Sequence, residues 1–152
     1  MGDIFKYYLK VNSKYLFMTI KWDQSFSVGV KQIDLQHQKL FEILGHVEEQ
    51  VKKDGKNFAA LESIIIDLQA YIEFHFNTEQ NFFEQFKYEG EKEHLAEHLF
   101  YVQKVKDLHD SCDKREEDLS KNMLDFVETW IQEHIKVSDK KYTKCFNEHG
   151  LV

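Results

Sequence analysis

Five histidines and two carboxylates stand at positions a packed helical protein would bury: His37, His75, Glu79, His94, His98, His134 and Asp139. His75 and Glu79 are four residues apart, as are His94 and His98. On a helix that spacing puts each pair on one face, one turn apart. A lone histidine on an apolar stripe is ordinarily a hydrogen-bonded core residue. An ionised Glu79 between Ile72 and Phe82 is harder to accommodate, because a buried carboxylate is costly unless a proton or cation neutralises it. A shared metal would satisfy all of these side chains together. The set joins neutral imidazoles to hard carboxylates and contains no cysteine, which suits iron or manganese better than structural zinc with its four, often sulfur, ligands. Seven ligands exceed one tetrahedral site and suit two metals. His134 and Asp139 are five residues apart and would diverge by about 140° on an ideal helix. Asp139 can therefore join His134 only where the helix end is distorted or unwound. The other three histidines, His46, His109 and His149, lie outside the pattern.

Four amphipathic stretches must position these residues. The first, about 33–53, carries Ile33, His37, Leu40, Phe41, Leu44, Val47 and Val51 at helical spacing. The second, about 58–87, runs through Leu61, Ile64, Ile65, Leu68, Ile72, His75, Glu79, Phe82, Phe83 and Phe86. The third, about 91–112, presents His94, His98, Tyr101, Val102, Val105 and Leu108. The fourth, about 118–137, presents Leu119, Met123, Phe126, Trp130, Ile131 and His134, with Asp139 just beyond it. The connections are a few residues long, which forces antiparallel neighbours. The expected fold is all-α: an up-down-up-down antiparallel four-helix bundle, residues 22–152, preceded by an N-terminal arm over residues 1–21. Met18 opens a stretch that could itself begin the protein, so residues 1–17 read as an extension.

Composition points the same way. Among 152 residues there is no proline and only six glycines, where average usage would give roughly seven or eight prolines. That disfavours sandwiches and barrels and favours long helices. A chain of this length buries roughly 68–70% of its unfolded surface without staples. The net charge of −7, with no basic block longer than Lys140-Lys141, argues against nucleic acid. No apolar run approaches a membrane span, and Met1–Ile20 lacks a signal-peptide pattern. Cys112 and Cys145 read as reduced thiols. These features predict a soluble cytoplasmic protein that engages neither nucleic acid nor membrane.

The segments WDQSFSVGVKQIDLQHQKLF (22–41), HFNTE (75–79), HLAEH (94–98) and HIKVSD (134–139) resemble the hemerythrin family, in particular its bacterial single-domain members. The resemblance runs from Trp22 to about Tyr142, and only the N-terminal arm departs from it. It implies a non-haem di-iron centre, two iron ions with a bridging oxo or hydroxo group, that binds O2 reversibly. On the family pattern one iron takes His94, His98 and His134, the other takes His37 and His75, and Glu79 and Asp139 bridge both. The one coordination position left open is on the iron with two histidines, and O2 goes there. Ile131 matches the family's aliphatic O2-pocket position, with Phe41 and Trp130 as weaker candidates. The resemblance implies a carrier, not an enzyme: a monomer that stores or transports O2 or delivers it to oxygen-requiring enzymes.

Other readings compete with this one. HLAEH also matches a metalloprotease motif, H-x-x-E-H, which would make Glu97 a general base. A ferritin-like site needs two Glu-x-x-His motifs on separate helices, and only Glu91-x-x-His94 is present. The same di-iron site could also serve an oxidoreductase, for peroxide or nitric-oxide chemistry, or an O2- or NO-responsive sensor. Tyr101, the only phenol near the His94–His98 face, reads as a packing residue.

Overall fold

The structure, a computed structural model, describes residues 20–152. Residues 1–17, and with them most of the expected arm, lie outside the described residues. Four long helical segments follow one another: α1 (Lys31–Lys53), α2 (Phe58–Phe86), α3 (Glu91–Asp113) and α4 (Leu119–Thr129), the last continued by a π-helical segment (Trp130–Ser138). A 3₁₀ turn (Asp139–Tyr142) and a short α5 (Thr143–Glu148) close the chain. Each long helix packs on its sequence neighbour, and α1 also packs on α4, so the four close into an antiparallel ring. Among the described residues there is no strand. No described helix is long and apolar enough to cross a membrane.

Local chemistry sets the boundaries. Ahead of α1, Asp34 accepts from the Val28 N–H at 2.8 Å and from the Ser27 hydroxyl at 2.5 Å, folding the entry segment onto the helix. Asn57 caps α2 by accepting from the Ala60 N–H at 3.1 Å. Lys87 ends that helix in the left-handed region, with φ of 52°. Gly55, between α1 and α2, has φ of 69°, and a Cβ added there would lie 2.0 Å from the Ser120 hydroxyl oxygen. Only glycine meets both demands.

The interior is layered. A large apolar cluster holds Leu40, Ile43, Leu44, Leu68, Ile72, Phe76, Tyr101, Met123, Trp130, Ile131 and Ile135. A smaller one holds Val28, Val30, Ile33, Phe83, Tyr142 and Phe146. On α1, His37 lies between Ile33 and Leu40, and on α2, His75 and Glu79 lie between Ile72 and Phe83. His134 and Asp139 likewise fall between Ile131 and Tyr142. A polar layer is thus enclosed between two apolar ones. The residues after Asp139 are more than a tail, since Tyr142 and Phe146 are fully buried. Thr143 and Asn147 pin α5 to the entry segment by donating to the carbonyls of Val28 (2.6 Å) and Gly29 (2.9 Å).

Candidate metal centre

All seven residues singled out by type and spacing reach this layer, and none is more than 4% exposed. His37 comes from α1, His75 and Glu79 from α2, and His94 and His98 from α3. His134 comes from the π-helical segment, and Asp139 begins the turn after it. The fourth segment, expected over about 118–137, winds as a π-helix from Trp130, and this is the distortion that the five-residue step to Asp139 requires. In the π segment the Asp139 N–H donates to the His134 carbonyl, five residues back. That i→i+5 bond is the π-helical repeat, and it makes two residues that would diverge on an α-helix neighbours one turn apart.

The side chains form two groups that share a carboxylate. Glu79, His94, His98 and His134 converge on one point, and His37, His75, Glu79 and Asp139 on another, with ligand atoms within 4.8 Å in each group. Both carboxylates straddle the two. Asp139 Oδ1 lies 3.2 Å from His94 Nε2 and 3.1 Å from His134 Nε2, while its Oδ2 lies 3.0 Å from His37 Nε2. Glu79 Oε2 lies 3.0 Å from His98 Nε2 and 3.4 Å from His94 Nε2, while its Oε1 lies 3.6 Å from His75 Nε2. All five Nε2 atoms, both Asp139 oxygens and Glu79 Oε2 are buried with no hydrogen-bond partner. Orphaned buried acceptors and imidazoles aimed at a common point are what a metal pair would satisfy.

Around these lie residues that fix their orientation. The His75 Nδ1–H donates to Gln36 Oε1 at 2.8 Å, and Gln36 in turn donates to the Thr78 hydroxyl at 3.3 Å. The His134 Nδ1–H donates to Glu97 Oε2 at 2.7 Å. With each Nδ1 as donor, Nε2 is left as the lone-pair atom facing inward. The Tyr142 hydroxyl donates to Glu79 Oε1 at 2.5 Å. The Phe76 ring stacks flat on His98 at 3.6 Å, and Tyr71 stacks on His75 at 5.1 Å. Gln36 and Tyr142 escaped the sequence reading. The one available signal for Gln36 was a polar residue beside His37 on a buried face. For Tyr142 it was an aromatic residue three positions after Asp139. Glu97 entered that reading only as a protease base; here its carboxylate is engaged by His134.

The electrostatics follow from burial opposed by pairing. Burial pushes His75 down to about 3, keeping it neutral. Burial also opposes charge on His94 and His134. The carboxylates of Asp139 and Glu79 outweigh it and raise them to about 9 and about 10, with Glu97 adding to the effect on His134. Burial and mutual repulsion would raise Glu79 and Asp139, but the facing imidazoles hold both below the usual carboxylate range. Protons on His94 and His134 and cations at the same Nε2 atoms therefore compete to neutralise one pair of carboxylates.

The remaining candidates fall into place around this geometry. Ile131 and Trp130 are fully buried in the large apolar cluster, and Phe41 is half-buried against it. Tyr101 stacks on Trp130 at 4.7 Å and meets His134 edge-on at 5.1 Å. Glu91 belongs to neither group of ligands. His46 and His149 are exposed and His109 is half-exposed.

A four-helix bundle enclosing two imidazole groups joined by shared carboxylates defines a metal-binding helical protein. The family model described as "Hemerythrin HHE cation binding domain" matches residues 28–145. The chain is 34% identical over 124 residues to a bacteriohemerythrin of Clostridium acetobutylicum, covering 80% of this chain and 96% of that protein. It is 30% identical over 121 residues to the myohemerythrin of Sipunculus nudus and 28% identical over 121 residues to a hemerythrin-like protein of Naegleria fowleri. Each of these covers 80% of this chain and 88% of the relative. The chain belongs to the hemerythrin family, a family of non-haem iron proteins that bind O2.

Proposed function

We propose that this chain binds two iron ions through His37, His75, Glu79, His94, His98, His134 and Asp139, and that it carries O2 reversibly at the two-histidine position. The observation that carries the reading is the straddling of both carboxylates: each offers one oxygen to the three-histidine group and the other to the two-histidine group. Held by these seven residues, a pair of ferrous ions would supply the electrons that O2 takes up on binding and gives back on release.

The chain's own residues do the rest. Gln36 and Glu97 hold two imidazoles by their Nδ1 protons, and Tyr142 holds Glu79. Phe76, Trp130 and Ile131 belong to the apolar cluster adjoining the site, which keeps water from it. Ile131 is our candidate for the pocket wall. Burial raises the phenols of Tyr71, Tyr101 and Tyr142 above their ordinary range, so they stay protonated. On this reading residues 22–152 are the working domain, a cytoplasmic monomer that stores O2 or hands it to oxygen-requiring enzymes.

Two variants test the reading. After anaerobic loading with ferrous iron, the wild type should hold about two irons per chain, and Glu79→Ala should lose at least one. Full retention by the variant with an unchanged spectrum would contradict the role of Glu79. Ile131→Ala should cost about 2–5 kcal/mol of stability as a core truncation and keep its iron. In air it should cease to respond reversibly to O2 sooner than the wild type. An equal lifetime would make Ile131 ordinary core.

A further inference from the structure

The five imidazoles are not supported alike. His134 donates its Nδ1 proton to a carboxylate, Glu97 Oε2, at 2.7 Å. His75 donates its own to a neutral amide oxygen, Gln36 Oε1, at 2.8 Å. The Nδ1 atoms of His37 and His98 are buried with no partner. Among the described residues, Glu97 is the one carboxylate besides Glu79 and Asp139 that pairs with any of these five rings. It also stands apart in its setting. The His134 side chain is fully buried, but the Glu97 side chain is 39% exposed. Its carboxylate opens on a surface pocket also lined by Ala96, Phe100, Tyr101, Glu133 and Ser138. A carboxylate half in water keeps its charge at little desolvation cost, while its hydrogen bond passes that charge to the interior ring.

Resting on the two-iron reading above, we propose that Glu97 is a positioning and charge-tuning residue that makes the two metal positions unequal. By accepting the Nδ1 proton, a full negative charge increases the electron density His134 offers at Nε2. The three-histidine position therefore holds its ion more tightly and better tolerates the higher oxidation state. The two-histidine position, backed by the neutral Gln36, is the less electron-rich of the two. Glu97, noted in the sequence for its place in H-x-x-E-H, thus acts through a ligand instead of on a substrate.

Glu97→Gln separates charge from orientation, because its amide oxygen can still accept the Nδ1 proton. Glu97→Ala removes both. Ferrous iron affinity, measured anaerobically by competition with a chromophoric chelator, should fall by about 10-fold in Glu97→Gln and by about 100-fold in Glu97→Ala. The midpoint potential of the iron-loaded protein should rise in Glu97→Gln and fall in Gln36→Glu, which places a charge behind His75 instead. Circular dichroism of the metal-free variants checks that the bundle is kept. If Glu97→Gln matches the wild type in affinity and potential while Glu97→Ala is weakened, Glu97 only orients the ring and the inference is overturned. Wild-type behaviour in both variants overturns it as well. A wild type that fails to take up two irons overturns the reading beneath it, a result distinct from either of these.

Discussion

Tyr142 has no place in the helical periodicity, yet its hydroxyl is the only hydrogen-bond donor to Glu79 Oε1 among the described residues. Replacing it with Phe would leave a buried carboxylate oxygen short of a donor, and a hydrogen bond to a charged group contributes about 1.5–3 kcal/mol. Tyr142→Phe should therefore lower the urea stability of the metal-free protein by about that amount and weaken its hold on iron. An unchanged urea midpoint would mean the bond contributes nothing. Six of the seven inward residues were legible in the sequence because their types are unusual on apolar stripes and two pairs sit four apart, whereas Asp139, beyond the fourth stripe, was legible only through the family segment HIKVSD. Gln36, Glu97 and Tyr142 were not, because each acts across a helix boundary on a partner 39, 37 or 63 residues away. Periodicity reports which face a residue occupies, and not which atom on another helix it meets.

At the scale of elements, α1, α2 and α3 begin and end within two residues of the sequence expectation. Asn57 and Gly90 are the N-cap residues of α2 and α3. The fourth segment was legible only as a conflict: a stripe that continued through His134, and a five-residue step to Asp139 that an α-helix could not close. The π-helical segment resolves it with the Asp139 N–H bonded to the His134 carbonyl. Nothing in the local residue types forecasts that winding, because it is fixed by two side chains that must meet inside the bundle. Gly55 gives an element-scale test that leaves the site alone. Gly55→Ala would force a β-carbon against Ser120 in a left-handed backbone, at a cost of roughly 1–2 kcal/mol from conformation alone. Urea unfolding should register that loss while iron stoichiometry stays at wild-type level. An unchanged midpoint would show that the α1–α2 turn relaxes freely.

For the whole molecule, the polar layer between two apolar clusters couples stability to pH. His94 and His134 are raised from 6.5 to about 9 and about 10. Their contribution is fully present below pH 6.5 and is lost as pH rises through those values. His75, lowered to about 3, and His98, also lowered, act in the opposite sense and penalise folding as pH falls below 6.5. Glu79 and Asp139, held low, keep their contribution at pH 5 and lose it only at more acidic pH, below their ordinary values of 4.5 and 3.8. The metal-free protein should thus be most stable near pH 6.5 and decline toward both pH 5 and pH 9.5. Once iron occupies Nε2 those histidines carry no second proton to lose, so the alkaline decline should vanish in the loaded protein. Urea midpoints at the three pH values check this, and parallel alkaline declines with and without iron would contradict it.

The central claim is a carrier with two irons, and cycling the loaded protein between O2 and inert gas tests it most directly. A sample holding about two ferrous irons per chain should change its visible absorption on exposure to O2. It should recover the starting spectrum when O2 is removed, and repeat this through several cycles with about one O2 taken up per iron pair. A single one-way conversion to the ferric state, with no recovery on removing O2, would contradict the account.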